Sequence, residues 1–254
     1  TVVPEEAGAV SSYDRDPGLE ISSFKSWSDI AAAYDARARD KAAVTPEIAR
    51  LAAQITKDVK DKRQQAEKIY AWVTQNVRYV AIYLGAGGFV PHTANSILEN
   101  RYGDCKDYTT LLGALLSAQG IDNEPVIISV GNRFTLPQIP TPTAFNHVIS
   151  YLPEFKLYLD ATAIRLPFGV LAPVETDKPA LHTRSSKAIV RTPGLPPNDR
   201  ALLSITTMTV DDDGSVRGRT EVTATGTMAI ELQAVAERIG NPRMAEQLSR
   251  GLLS

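Results

Sequence analysis

The one cysteine of the chain, Cys105, stands at the head of an apolar helical stripe, and this placement constrains the fold more than any other feature. Leu111, Leu112, Leu115 and Leu116 recur behind it at helical spacing, and Gly120 closes the segment. Such a helix buries its leucine face. Its first turn, however, is crowded by Arg101, Asp104, Lys106 and Asp107, charges that a sealed core position rarely tolerates. The thiol therefore belongs at the open end of a buried helix. Unpaired backbone N–H groups and the positive end of the helix dipole there favour thiolate over thiol. Lys106 acts in the same direction, while Asp104 and Asp107 oppose it. Gly103 permits close backbone approach at the preceding turn. A lone cysteine is often a small buried hydrophobe; the charged flanks argue here for a nucleophile.

The segments before and after this helix differ in period. An alanine-rich helix is expected over 29–40, with Ile30, Ala33, Tyr34 and Arg37 in register. Thr45 as N-cap, Pro46 and Glu47 announce a second helix with the stripe Ile48, Leu51, Ala52, Ile55 and Val59. Asp61, with Gln64 three residues on, caps a third that buries Ala66, Ile69, Tyr70 and Val73, with Trp72 half exposed or at a cleft. From Val77 to Tyr83 the residues are β-branched and aromatic, which predicts a strand. A glycine-rich loop follows, then a short helical piece from Ser96 to Glu99. Beyond Gly120, a strand is expected from Glu124 to Val130 and a long proline-containing loop over 131–143. Arg133 in that loop reads as solvated, with capture of a carboxylate as its functional alternative.

Two apolar runs, Asn146–Leu152 and Lys156–Ala161, flank Pro153-Glu154-Phe155 and predict a hairpin. Proline excludes a two-residue primed turn. A four-residue loop from Leu152 to Phe155 would pair Tyr151 with Lys156, Ile149 with Tyr158 and His147 with Asp160. A slip of two residues would keep His147 and Asp160 on one face; a slip of one would not. An imidazole backed by a carboxylate is the orienting half of a nucleophilic triad. Taken singly, His147 reads as a core or edge histidine and Asp160 as a strand-end residue. Their occurrence with Cys105, in the order cysteine, histidine, aspartate on helix, strand and strand, makes a catalytic constellation the better reading. Asn146 is a polar residue beside them in an apolar strand. His92 and His182 lie in proline-rich loops with no carboxylate placed by a hairpin, though Gly88–His92 could fold over the cleft.

Composition narrows the classes. The 254 residues suffice for one large domain or for one domain and part of another. With net charge −2 and scattered basic residues, nothing suggests nucleic-acid binding. No apolar run reaches the ~18 residues of a membrane span. Gly85-Ala86-Gly87-Gly88 is not a phosphate loop, no His/Cys spacing suits zinc, and no metal or cofactor is expected. Asp211-Asp212-Asp213-Gly214 is expected to turn a hairpin between Ile205–Val210 and Val216–Thr223, followed by helix broken at Gly240-Asn241-Pro242. Residues 1–28 read as a linker or the tail of a preceding module, 29–195 as the catalytic core, and 196–254 as a β-hairpin and helical extension belonging to another module. The chain begins at Thr1 and ends at Leu253-Ser254, which suggests a piece of a longer protein with neighbouring domains.

Arg101-Tyr102-Gly103-Asp104-Cys105-Lys106-Asp107 with its leucine-rich helix resembles the core motif of the transglutaminase-like superfamily. Phe145-Asn146-His147-Val148 and Tyr158-Leu159-Asp160-Ala161-Thr162 resemble its histidine and aspartate strands. Tyr70-Ala71-Trp72-Val73 and Val77-Arg78-Tyr79-Val80 match its preceding helix and strand. The resemblance spans roughly 45–170 and is nearest to bacterial proteins that place this core after a β-rich N-terminal domain. It implies an α+β, papain-like fold with Cys105, His147 and Asp160 as a triad, and a periplasmic or cell-envelope location. The approach to the histidine strand departs from the pattern, running through Pro137, Pro140 and Pro142.

The function expected is cysteine-dependent acyl transfer or hydrolysis on a peptide bond or glutamine amide of a peptide or protein substrate. The Cys105 N–H would supply one oxyanion donor and Tyr79 a second, with Asn146 and Asp104 as further cleft candidates. Hydrolysis is favoured over transamidation because no dedicated amine site is visible. Two alternatives stand beside this reading. One is a catalytically latent peptide-binding or scaffold module of a larger bacterial envelope protein, since fold does not prove activity. The other is amide hydrolysis of a small molecule or peptidoglycan stem on the same core.

Overall fold

Side-chain caps set the helix starts in the computed structural model, which describes residues 11–81, 88–184, 189–195 and 201–237. After a single turn, α1 (Ser12–Arg15), the helix α2 (Trp27–Ala38) begins at Ser26, which forms a capping box with Asp29. That cap moves the expected start two residues earlier. Thr45 accepts the Ile48 N–H at 3.3 Å to begin α3 (Pro46–Ile55), and Asp61 accepts that of Gln64 at 2.9 Å to begin α4 (Lys62–Asn76). The strand expected over 77–83 is cut to β1 (Arg78–Tyr79); residues 82 and 83 lie outside the described ones. Thr93 caps α5 (Ala94–Asn100), which Arg101 ends in the left-handed region at φ 58°. β1 pairs in parallel with β2 (Tyr102–Gly103), and its partner is short because the chain turns at once into α6 (Cys105–Ala118).

The core forms around α6. Tyr108, Leu111, Leu112, Leu115 and Leu116 are fully buried against Ile48, Ile69 and Ile97 of α3, α4 and α5. Each large apolar side chain sequestered this way contributes roughly 1.5–3 kcal/mol. On its other side α6 meets a five-stranded antiparallel sheet of order β5-β4-β3-β6-β7. Its strands are β3 (Glu124–Ile128), β4 (His147–Leu152), β5 (Leu157–Leu159), β6 (Pro179–His182) and β7 (Ile189–Arg191). Helices packed on an antiparallel sheet make this an α+β fold.

The β4–β5 hairpin corrects the expected register. Tyr151 pairs with Tyr158 and Leu152 with Leu157, so the loop is Pro153–Lys156 rather than 152–155. Lys156 adopts φ 52° to close it. The shift is two residues, which preserves the facing of every side chain. The loop before β4 also differs from expectation. Arg133 is buried rather than solvated, lying 4.6 Å over the Tyr13 ring with its guanidinium 3.7 Å from Glu20. Trp72 is half-buried under Arg101, whose guanidinium is 4.8 Å from its ring.

The chain divides into two compact units, the first ending at Pro193. Within the second, β8 (Leu202–Val210) and β9 (Val216–Ala224) form the expected antiparallel hairpin, turned with Gly214 at φ 81°, and α7 (Gly226–Ala236) follows. The expected helix break at Gly240-Asn241-Pro242 lies outside the described residues.

Candidate active site

The first turn of α6 is over-determined. The Asp104 carboxylate accepts the N–H groups of Lys106 at 3.2 Å and Asp107 at 3.5 Å, and Asp107 returns the bond by accepting the Asp104 N–H at 3.3 Å. The Lys106 ammonium is buried and bonded to Asp104, so the charge flanking the cysteine is largely paired off within the turn. Gly103 is needed for this packing. A Cβ there would fall 2.5 Å from Cβ of Asp107. Cys105 itself is 8% exposed, packed beside Ile30, Ile127, Val148 and Leu181 on one side and open on the other to a cavity of about 540 Å³.

His147 opens β4 and Asp160 follows the last residue of β5. In the observed register they are diagonal neighbours on one face, and His147 Nε2 lies 2.9 Å from Asp160 Oδ2. Cys105 acts on the same ring, and with Nε2 turned to Asp160 the nitrogen left for it is Nδ1. Sulfur, imidazole and carboxylate thus stand in series. Burial alone would lower the imidazole pKa; the bonds to Asp160 and Cys105 outweigh it and hold the group up at about 10. Asp160 is fixed in turn. Thr162 donates to its carboxylate from the backbone at 2.8 Å and from the hydroxyl at 2.7 Å, and Tyr70 donates to its carbonyl at 3.1 Å. Asn146 pins the approach to β4, accepting from Val130 N at 2.8 Å and donating to Val130 O at 3.1 Å.

Sequence reasoning missed Glu175. It is buried, with one carboxylate oxygen 3.8 Å from His147 Nε2 and the other accepting the Ala172 N–H at 2.7 Å. Burial and then the adjoining Asp160 push its pKa up, whereas the bonds from His147 and Glu175 pull that of Asp160 down against its own burial. The pair therefore shares one proton, carried by Glu175. Among the described residues, His147, Asp160 and Glu175 are the one set whose donor atoms, within 4.8 Å of each other, are spaced as for a metal ion. Their atoms already bond one another and Thr162, so a proton suffices to hold the cluster. Glu175 sits in an irregular stretch after Pro173, with no periodicity to flag it.

The other candidates lie elsewhere. His92 bonds Asp107 through Nδ1 at 3.1 Å and does not line the cavity. His182 is buried between Glu124 and the Tyr158 hydroxyl. Tyr79 is 40% exposed with its ring 6.1 Å from that of Tyr108, and it too is absent from the cavity wall. The wall is instead closed by α2, through Ile30, Ala33, Tyr34 and Arg37. This contribution of the N-terminal helix has no local sequence signal, since it depends on packing across some seventy residues of chain.

A cysteine at a helix N-terminus, facing a histidine carried by an antiparallel sheet, defines the papain-like α+β class. Residues 49–151 match the profile of the transglutaminase-like superfamily. Among solved structures, a "putative protease" from Parabacteroides distasonis superposes with a TM-score of 0.53 at 16% identity, over 68% of this chain and 32% of that one. A "putative cysteine protease" from Cytophaga hutchinsonii gives 0.36 at 14% identity, over 74% and 55%. The first shares the fold. The chain spans 32% of the length of the first and 55% of the second. No curated protein matches it in sequence. Among the described residues, no helix is long and apolar enough to cross a membrane.

Proposed function

We propose that this protein is a cysteine-dependent amide hydrolase acting on peptide bonds or glutamine side chains, with Cys105, His147 and Asp160 as its triad. The observation that carries the reading is His147 bonded to Asp160 while it lines, with Cys105, the wall of one cavity. In the attacking form the sulfur has given its proton to the imidazole. The sulfur attacks the substrate carbonyl carbon, giving a tetrahedral oxyanion. As this collapses, the C–N bond breaks and Nδ1–H of His147 passes its proton to the leaving nitrogen. Asp160 holds the tautomer and stabilises the imidazolium. Water then adds to the thioester with His147 as base, the C–S bond breaks, and the acid product leaves. An amine in place of water would give transamidation.

The cavity supports a preference within this class. Phe24, Ile30, Ala33, Phe89, Ile127 and Phe145 make its lining largely apolar, which suits an apolar or aromatic acyl-side residue. Neighbouring domains of a longer protein and a cell-envelope setting belong to the same proposal. The test is turnover of casein, and of a glutamine peptide with an amine donor, by wild type and Cys105→Ala. Turnover by the wild type alone is expected. Equal and negligible turnover in both would favour a binding module that keeps the fold without the chemistry.

A further inference from the structure

The Tyr34 hydroxyl is fully buried and has no hydrogen-bond partner among the described residues. It is a tyrosine in the wall of the same cavity that Cys105 and His147 line, and it packs against the apolar cluster that includes Cys105. A buried hydroxyl left without an acceptor costs roughly 1–3 kcal/mol. In the wall of the cavity beside Cys105, such a hydroxyl has bonding capacity left for an acceptor that arrives with the substrate.

Resting on the acyl-transfer reading above, we infer that Tyr34 is a catalytic residue, donating its O–H to the substrate oxyanion together with the backbone N–H of Cys105. The chemistry of both groups fits. Cys105 occupies the first position of α6, and the capping carboxylate of Asp104 takes the N–H groups of Lys106 and Asp107 but not that of Cys105. Burial, followed by the negative neighbours Cys105, Asp104 and Asp107, raises the pKa of the Tyr34 phenol against the opposing pull of Arg184. The group stays protonated and serves as a donor rather than a base. Those neighbours have other partners. Asp104 is bonded to Lys106, and Asp107 to His92 and to the Asp104 N–H. Tyr34 cannot simply turn to an occupied carboxylate. Both ends of the Asn146 amide, also in the cavity wall, bond Val130.

The experiment compares Tyr34→Phe with wild type in three measurements. The first is the burst of p-nitrophenol from p-nitrophenyl hydrocinnamate, an acylation that develops an oxyanion. The second is alkylation of Cys105 by iodoacetamide, a displacement that develops none. The third is thermal unfolding. The burst rate constant should fall roughly 10²–10³-fold, as when a single oxyanion donor is removed. Alkylation should stay within about twofold, because displacement at carbon needs no such donor, and the Tm should not fall, because the change removes an unsatisfied buried hydroxyl. An undiminished burst in Tyr34→Phe would overturn the assignment while leaving the triad intact. A parallel loss of burst and alkylation would also overturn it, by assigning Tyr34 a merely structural part. A wild type with no Cys105-dependent burst would end both this inference and the acyl-transfer reading.

Discussion

His147 Nε2 lies 2.9 Å from Asp160 Oδ2, although the two residues are diagonal rather than opposite across the β4–β5 hairpin. The alternation of a strand carries both side chains to one face, and the diagonal offset is within reach of an imidazole. A proton placed on the ring is thereby stabilised from the carboxylate side and shared toward Cys105 on the other.

The pKa of His147 is raised to about 10, so on the proposed reading an imidazolium faces Cys105 over a wide pH range. Iodoacetamide should alkylate Cys105 rapidly well below the free-thiol pKa of ~8.5. His147→Ala should abolish this low-pH reactivity, and His92→Ala should preserve it, since His92 is engaged with Asp107 away from the cavity. Rates measured between pH 5 and 9 decide between the two histidines, and the opposite ranking would mean that the ring beside the sulfur is not the base.

Asp160→Asn keeps the size of the side chain and removes its charge. The imidazole would lose both its preferred tautomer and the partner that supports its cationic form. Turnover should fall about 10³–10⁴-fold with the fold retained. Circular dichroism and kcat on the same preparation separate this from unfolding, and near-wild-type kcat would mean that Asp160 does not orient the ring.

Gly103→Ala should disrupt the head of α6. The added methyl would press on Asp107 at 2.5 Å, and Asp107 is one half of the capping box that positions Cys105. Overpacking of this kind costs about 1–3 kcal/mol. A lowered Tm together with slower alkylation of Cys105 is expected, and a variant that alkylates normally would show that the turn yields without moving the sulfur.

Glu175 makes stability depend on pH. Its pKa is raised in the folded protein above the ordinary value of 4.5, so its contribution is complete below that value and is lost as pH rises through the folded pKa. His147, also raised, acts in the same direction above its unfolded value of 6.5. Asp160, lowered, contributes above its ordinary 3.8 and loses that only in stronger acid. Glu175→Gln should therefore flatten the decline in Tm between pH 5 and 8.5. Wild-type and variant curves that remain parallel over that range would show that Glu175 ionises normally.

Much of the fold is legible in local signals. The Thr45 and Asp61 caps, Pro46 at a first helical position and the leucine spacing after Cys105 act within a turn or two of chain, and α3, α4 and α6 start where these residues dictate. The pairing of His147 with Asp160 is half legible: strand alternation gives their shared face, while the turn that Lys156 closes shifts the register by two. Arg133 is different. Nothing near it in sequence foretells that Tyr13 and Glu20 will cover it.

By itself, the sequence determined where Cys105 sits on its helix and that His147 and Asp160 share one face of the hairpin. Capping and the two-residue period of a strand are properties of neighbouring residues. Only the tertiary structure decided that Glu175 would back Asp160, and that α2 would bring Tyr34 rather than Tyr79 to the cavity beside Cys105. Those approaches join segments far apart in the chain, and they are set by which apolar faces can be buried together, a choice made by the whole core.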